Sequence, residues 1–212
     1  MIGGLRRLCG AGDAGHVALT FDDGPDPVST PYFVDALAAA EVRATFFVVG
    51  ERLHRHRWLG RLLASAGHEL AVHGWRHTPL VPGRAARRGL YRTVNLITDV
   101  TGMPPRWFRP PYGVVLPGSL RLVRAVGLEP VLCGRRVRGG ATVLLHDRTR
   151  AEAAWRAGIA LVPRIVAMCR RRGLRIGPLG EHGVQRPAMP LRSVIHAPLA
   201  RRTDAHRVVR DG

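Results

Sequence analysis

The sequence predicts an α/β fold built as a parallel sheet or (β/α) barrel in one domain. Three observations carry that expectation. Short apolar, β-branched runs alternate with longer stretches whose apolar residues recur at helical spacing. Acidic and imidazole side chains fall repeatedly at the downstream ends of the apolar runs, where parallel α/β folds assemble their sites. The chain has 212 residues, 46% of them hydrophobic, enough for one sizeable core and too few for two.

In chain order, HVALTF at 16–21 reads as a buried strand ending in acidic residues. Thr30 and Pro31 mark a helix start, threonine as cap and proline in the first turn, and that helix runs on to Ala40. ATFFVV at 44–49 is a second strand. A helix over 58–66 stops at Gly67, and HELAVH at 68–73 is the third strand. His54 and His56 sit among arginines in an expected loop, most simply as solvated side chains. The segment 84–100 carries Leu90, Val94 and Ile97 on one helical face and Arg84, Arg87, Arg88 and Arg92 on the opposite one. Residues 107–113 form a proline-rich loop or short strand, 119–126 a helix, 130–133 a short strand and 141–146 (ATVLLH) a clear one. The longest helix is predicted over 152–172, and 174–176 adds a last strand. From 181 to 212 periodicity is lost among Pro187, Pro190, Pro198 and scattered arginines. A domain over 1–180 followed by a disordered basic tail is therefore expected.

The 33 basic residues against 15 acidic give a formal charge of +18, and all 33 are arginine. With abundant alanine, glycine and proline, this fits the bias of a GC-rich coding sequence better than a surface selected for phosphate. Aromatic residues are 6% of the chain and are not interleaved with the arginines, so no specific nucleic-acid partner is expected. Cys9, Cys133 and Cys169 are odd in number and far apart, hence free thiols. The longest apolar runs, such as 44–50, are too short to be transmembrane. The first residues lack the apolar stretch of a signal peptide, which reads by default as cytoplasmic. An extracellular or cell-envelope location would follow if the true start lies upstream. No pattern fixes an oligomeric state.

Four short motifs carry chemistry. Thr20-Phe21-Asp22-Asp23-Gly24-Pro25 puts two adjacent carboxylates at a strand end, where a bound cation is the usual partner. A solvated turn is the bland alternative. His73-Gly74-Trp75-Arg76-His77 follows another strand, and imidazoles at that spacing can chelate one ion. An aspartate with two histidines is a sensible open set for Zn²⁺. In Phe108-Arg109-Pro110-Pro111-Tyr112-Gly113 the prolines stiffen the backbone, and Arg109 can hold a carboxylate in fixed geometry. Leu144-Leu145-His146-Asp147 ends a strand with a histidine, which alone is more often structural.

Taken in order, TFDDGP, HxxxH, RPPYG and LLH resemble the polysaccharide deacetylase family, the NodB-homology or carbohydrate esterase type. The likeness runs from about Val17 to Leu179. It implies a distorted (β/α) barrel that removes N-acetyl groups from amino sugars. By position, Asp23, His73 and His77 would bind a divalent metal, most often zinc, with Co²⁺ or another transition metal as substitutes. Asp22 would be the base and Arg109 would orient it. The Tyr112 backbone N–H would serve the oxyanion, with Pro111 and Leu144 in the same substrate-binding set. Leu144 and Leu145, or one of them, would pack near the acetyl methyl, and His146 would be the acid. The implied partner is an acetylated amino-sugar glycan such as peptidoglycan or a chitin-type oligosaccharide.

Two departures stand out. Gly74 replaces the usual Ser or Thr after the first histidine, which normally supports the loop and metal binding. No Asp or Trp lies between Tyr112 and His146, where the family places an Asp-x-x-Asp-Trp segment. That segment supplies an aspartate for the arginine–base contact and a tryptophan wall. One strand–loop unit is thus expected to be missing, leaving the barrel interrupted. A relative that binds metal or glycan without turnover is the alternative reading. An O-acetyl esterase of the same chemistry is a variant of the first.

Overall fold

The computed structural model describes residues 12–133, 137–149 and 151–183. Cys9 and most of the expected tail lie outside them. Among these residues seven strands form one sheet: β1 His16–Asp22, β2 Thr45–Val48, β3 Glu69–Val72, β4 Trp107–Phe108, β5 Glu129–Pro130, β6 Thr142–His146 and β7 Arg175–Gly177. Six α-helices accompany them: α1 Ser29–Ala39, α2 Gly50–Arg55, α3 Arg57–Ser65, α4 Arg84–Thr101, α5 Ser119–Ala125 and α6 Glu152–Arg171. The path is β5-β4-β3-β2-β1-β6 with every pairing parallel, and β7 joins the start of β1. Among the described residues no ladder joins β5 to β6, so the barrel is open along that seam.

Alternation along the strands divides the side chains. Val17, Leu19 and Phe21 of β1 share one core with Phe46, Val48, Leu70, Val72, Phe108 and Val143, and with helix residues such as Phe33, Leu37, Leu63, Ile97 and Val166. Phe21 stacks on Phe46 with ring centroids 4.7 Å apart and meets Phe33 edge-on. Each such side chain contributes about 1.5–3 kcal/mol on burial. The intervening positions, Ala18, Phe47, Ala71 and Trp107, pack inside the barrel with Val131 and Leu179. Strands buried on both faces explain the near-continuous apolar runs in the sequence.

The upstream end of the barrel is closed by polar side chains that satisfy one another. The Glu69 carboxylate accepts from Thr45 Oγ1 (2.6 Å), Trp107 Nε1 (2.8 Å) and the Gly180 N–H (3.0 Å). Thr45 Oγ1 in turn accepts the Leu179 N–H. The packed chain runs slightly past Gly180: His182 is buried, its Nδ1 2.8 Å from that of His16.

Two local expectations are corrected. Residues 50–55 form α2 instead of a loop. The helix is too short to show periodicity, and its start is secured by Gly50 N–H to Gly74 O and Glu51 N–H to Trp75 O. His54 thus lies on a helix. Thr30 is not a cap but a buried residue inside α1, and Asp26 Oδ1 instead takes the N–H groups of Val28 and Ser29.

Candidate active site

All four motifs meet at the downstream end of the sheet. The pleat that sends Phe21 to the helix-side core sends Thr20 and Asp22 inward. Asp23 lies one residue beyond β1 in the left-handed region, with φ 76°, and this turn brings a second carboxylate to the same opening. Asp23 Oδ1 is 2.9 Å from His77 Nε2 and 3.4 Å from His73 Nε2. One ligand atom from each of the three lies within 4.8 Å of the others. His73 Nδ1 is 2.8 Å from the carbonyl of Arg109. A carbonyl only accepts, so Nδ1 carries a proton, and Nε2 is the nitrogen turned toward Asp23 and available to a metal. One carboxylate oxygen and two imidazole nitrogens, one tautomer fixed from behind, fit a divalent metal of the zinc type with open positions. Burial would raise the Asp23 pKa, but the His73 hydrogen bond and the neighbouring histidines hold it below the usual value. Burial lowers that of His77, against the pull of Asp23.

Arg109 is only 2% exposed. Its Nη1 donates to Asp22 Oδ1 (2.6 Å) and Thr20 Oγ1 (2.8 Å), and its guanidinium lies 4.1 Å over the Phe47 ring. Thr20 passes its own proton to Val143 O at 2.8 Å. Arg109 Nε and Nη2 are buried without a hydrogen-bond partner among the described residues.

On β6, His146 is opposite Asp22 in register and Leu144 opposite Thr20, so both share the inner face with the base and arginine. Leu145 packs on the helix-side core, so Leu144 is the leucine of the pair at the site. His146 is exposed. Pro111 is buried. Tyr112, 68% exposed at φ 59°, has its ring 4.3 Å from that of His77 and donates its hydroxyl to His77 O. Gly74 adopts φ 87°, where a Cβ would come within 3.0 Å of Arg76 O.

Two residues escaped the sequence reading. Arg52, in the first turn of α2, flanks the opening; burial and then Arg148 lower its pKa against the pull of Asp23, Asp26 and Asp147. Asp147 is buried beneath the Asp23–Gly24 turn and accepts from Thr30 Oγ1 at 2.6 Å. Gly24 packs directly on this carboxyl, and burial pushes its pKa up to about 7. The only sequence signal was an aspartate after a strand-end histidine, which is ordinary loop chemistry.

The family model for polysaccharide deacetylase matches residues 10–131. The chain belongs to the polysaccharide deacetylase family. Among its relatives, a peptidoglycan-N-acetylglucosamine deacetylase of Bacillus cereus is 36% identical over 108 residues, covering 50% of this chain and 39% of that one. Chitin deacetylase 1 of Cryptococcus neoformans is 33% identical over 127 residues, covering 59% of this chain and 27% of that one. The chain thus spans well under half the length of these curated relatives. A solved structure of the Bc1960 peptidoglycan N-acetylglucosamine deacetylase superposes with a TM-score of 0.74 at 24% identity, covering 83% of this chain and 91% of that one. For a polysaccharide deacetylase, the open seam and the unpartnered edge of Arg109 coincide with the absent Asp-x-x-Asp-Trp segment.

Proposed function

We propose that this polysaccharide deacetylase is a metal-dependent hydrolase that removes N-acetyl groups from N-acetylglucosamine-containing glycans, peptidoglycan or chitin-type oligosaccharides. The observation that carries it is the Asp22 carboxylate, gripped by buried Arg109 at 2.6 Å beside the Asp23–His73–His77 set. Asp23 Oδ1 and the Nε2 atoms of the two histidines would hold the metal, most simply Zn²⁺. When bound, such an ion polarises the acetyl carbonyl and acidifies water.

The chain's own groups divide the remaining work. Arg109 holds Oδ1 of Asp22, leaving Oδ2 on the side of His73, 3.9 Å from its Nε2. Asp22 takes the proton of the attacking water as the new C–O bond forms. The Tyr112 backbone N–H donates to the developing oxyanion, and Leu144 and Pro111 contact the acetyl methyl. His146 gives its proton to the sugar nitrogen as the C–N bond breaks, because an amine leaves poorly unprotonated. The products are acetate and the free amino sugar. A base and an acid so placed each contribute on the order of 10²–10⁴ in rate.

The partnerless Nε and Nη2 of Arg109 favour one second reading, a relative that holds metal or glycan without turnover. Acetate release from chitin oligosaccharides, measured with Zn²⁺, Co²⁺ or no metal and alongside Asp22→Asn, separates the two. Metal-dependent release that drops at least a hundredfold in Asp22→Asn supports the hydrolase. Equal silence of both proteins while zinc still binds supports the second reading. An O-acetylated oligosaccharide run in parallel distinguishes amide from ester preference.

A further inference from the structure

Asp23 sits in a backbone conformation that L residues seldom adopt, and such residues persist only where their surroundings over-determine them. The following residue is held from both sides. Gly24 O accepts the Val49 N–H at 2.8 Å, which ties the turn to the end of β2. On its other side Gly24 packs against the Asp147 carboxyl, which receives Thr30 Oγ1 from α1. The Asp147 carbonyl accepts Ser29 Oγ at 2.6 Å, a second tie between α1 and the end of β6. The fit is close: a Cβ on Gly24 would lie 2.1 Å from Asp147 Oδ2. Asp147 follows His146 directly in the chain, so the same junction fixes where β6 ends.

We propose that Asp147 is a positioning residue that locks the Asp23–Gly24 turn to β6 and so sets the metal ligand and the proton donor at one fixed separation. The inference rests on the reading of Asp23, His73 and His77 as a metal site. Its action on the metal runs through its contact with Gly24; its action on His146 runs through the chain.

Zinc affinity tests it without substrate, by titrating metal-free protein against a chromophoric chelator. Asp147→Ala is expected to weaken zinc binding by about 10–100-fold, the usual effect of removing a group that orients a ligand. Asp147→Asn keeps the shape packed on Gly24 and an acceptor for Thr30 Oγ1, and is expected to recover most of that affinity. Thr30→Val, nearly isosteric, removes one donor to Asp147 and is expected to cost a few-fold. It serves as the readout if Asp147→Ala does not fold. Where turnover is measured, kcat falls while KM stays within about twofold. Zinc affinity unchanged in Asp147→Ala, or in Thr30→Val where Asp147→Ala does not fold, with only the unfolding temperature lowered, makes the carboxyl a structural group and overturns the inference. A wild-type protein that binds no zinc overturns the metal reading itself and this inference with it.

Discussion

Arg109 grips Asp22 through one nitrogen, Nη1 at 2.6 Å, and buries its other edge without a partner. Both members of the pair are almost fully buried, at 3% and 5% side-chain exposure. Removing one member of such a pair strands the other charge, at a cost of about 3–5 kcal/mol. Arg109→Leu is therefore expected to lower unfolding free energy by about that amount. Adding Asp22→Asn to it restores part of the loss, because the stranded charge is gone. Urea denaturation of the two single variants and the double variant checks the coupling.

His146 is expected to matter in proportion to how badly the leaving group needs a proton. His146→Gln should reduce acetate release from an N-acetyl glycan by about 10²–10⁴. Hydrolysis of an aryl acetate, whose phenolate departs unaided, should change by less than tenfold. Steady-state kinetics on the two substrates test the assignment. Equal losses on both would remove His146 from the role of acid.

Gly74 invites a substitution that restores the family's usual serine. The backbone there is left-handed at φ 87°, and a Cβ would press on Arg76 O. A left-handed conformation costs an L residue about 1–2 kcal/mol. Gly74→Ser is thus expected to destabilise the protein by that order and to leave zinc affinity unimproved, read by thermal unfolding and chelator competition. Tighter zinc binding in the variant would show that the loop can relax around the added side chain.

Stability should fall as the medium is acidified below neutrality, because two histidines are buried in the neutral form. Burial, then His182 and Arg175, lowers the His16 pKa from 6.5 to about 4; burial and Arg43 do the same for His68. At these two sites the folded state therefore binds fewer protons than the unfolded state between about 6.5 and about 4, and Asp147, raised by burial to about 7, binds one more and offsets part of the decline. Stability is full above that window and declines through it. At about 1.4 kcal/mol per pKa unit, each histidine contributes on the order of 3 kcal/mol to the decline. Denaturation at pH 7 and pH 4.5, with His68→Asn as a control of smaller slope, measures it.

Much of the fold was legible because buried parallel strands leave unbroken apolar runs such as HVALTF and ATFFVV, ended by Asp22 and Gly50 respectively. The grouping of Asp23, His73 and His77 followed from motif order along such strands. Two kinds of feature stayed hidden. α2 is a six-residue helix with no room for a hydrophobic repeat, and its start is stabilised by carbonyls of the distant His73–His77 loop. Asp147 draws its importance from Thr30 and Gly24, more than a hundred positions away, a contact no local pattern announces. Thr30 misled for the same reason: its hydroxyl is engaged by that distant carboxyl and by the Asp26 N–H rather than by its own helix.

The alternation of β1 also makes the opening sensitive to counting. Thr20 and Asp22 both reach Arg109 because they are two residues apart on a strand whose neighbours fix its register on both sides. Inserting or deleting one residue between Ala18 and Asp22 would turn Phe21's position toward the arginine and Asp22's toward the aromatic core, an exchange no side-chain rotation can undo. Point substitutions can grade this chemistry, whereas a single-codon change of length in β1 would abolish it outright.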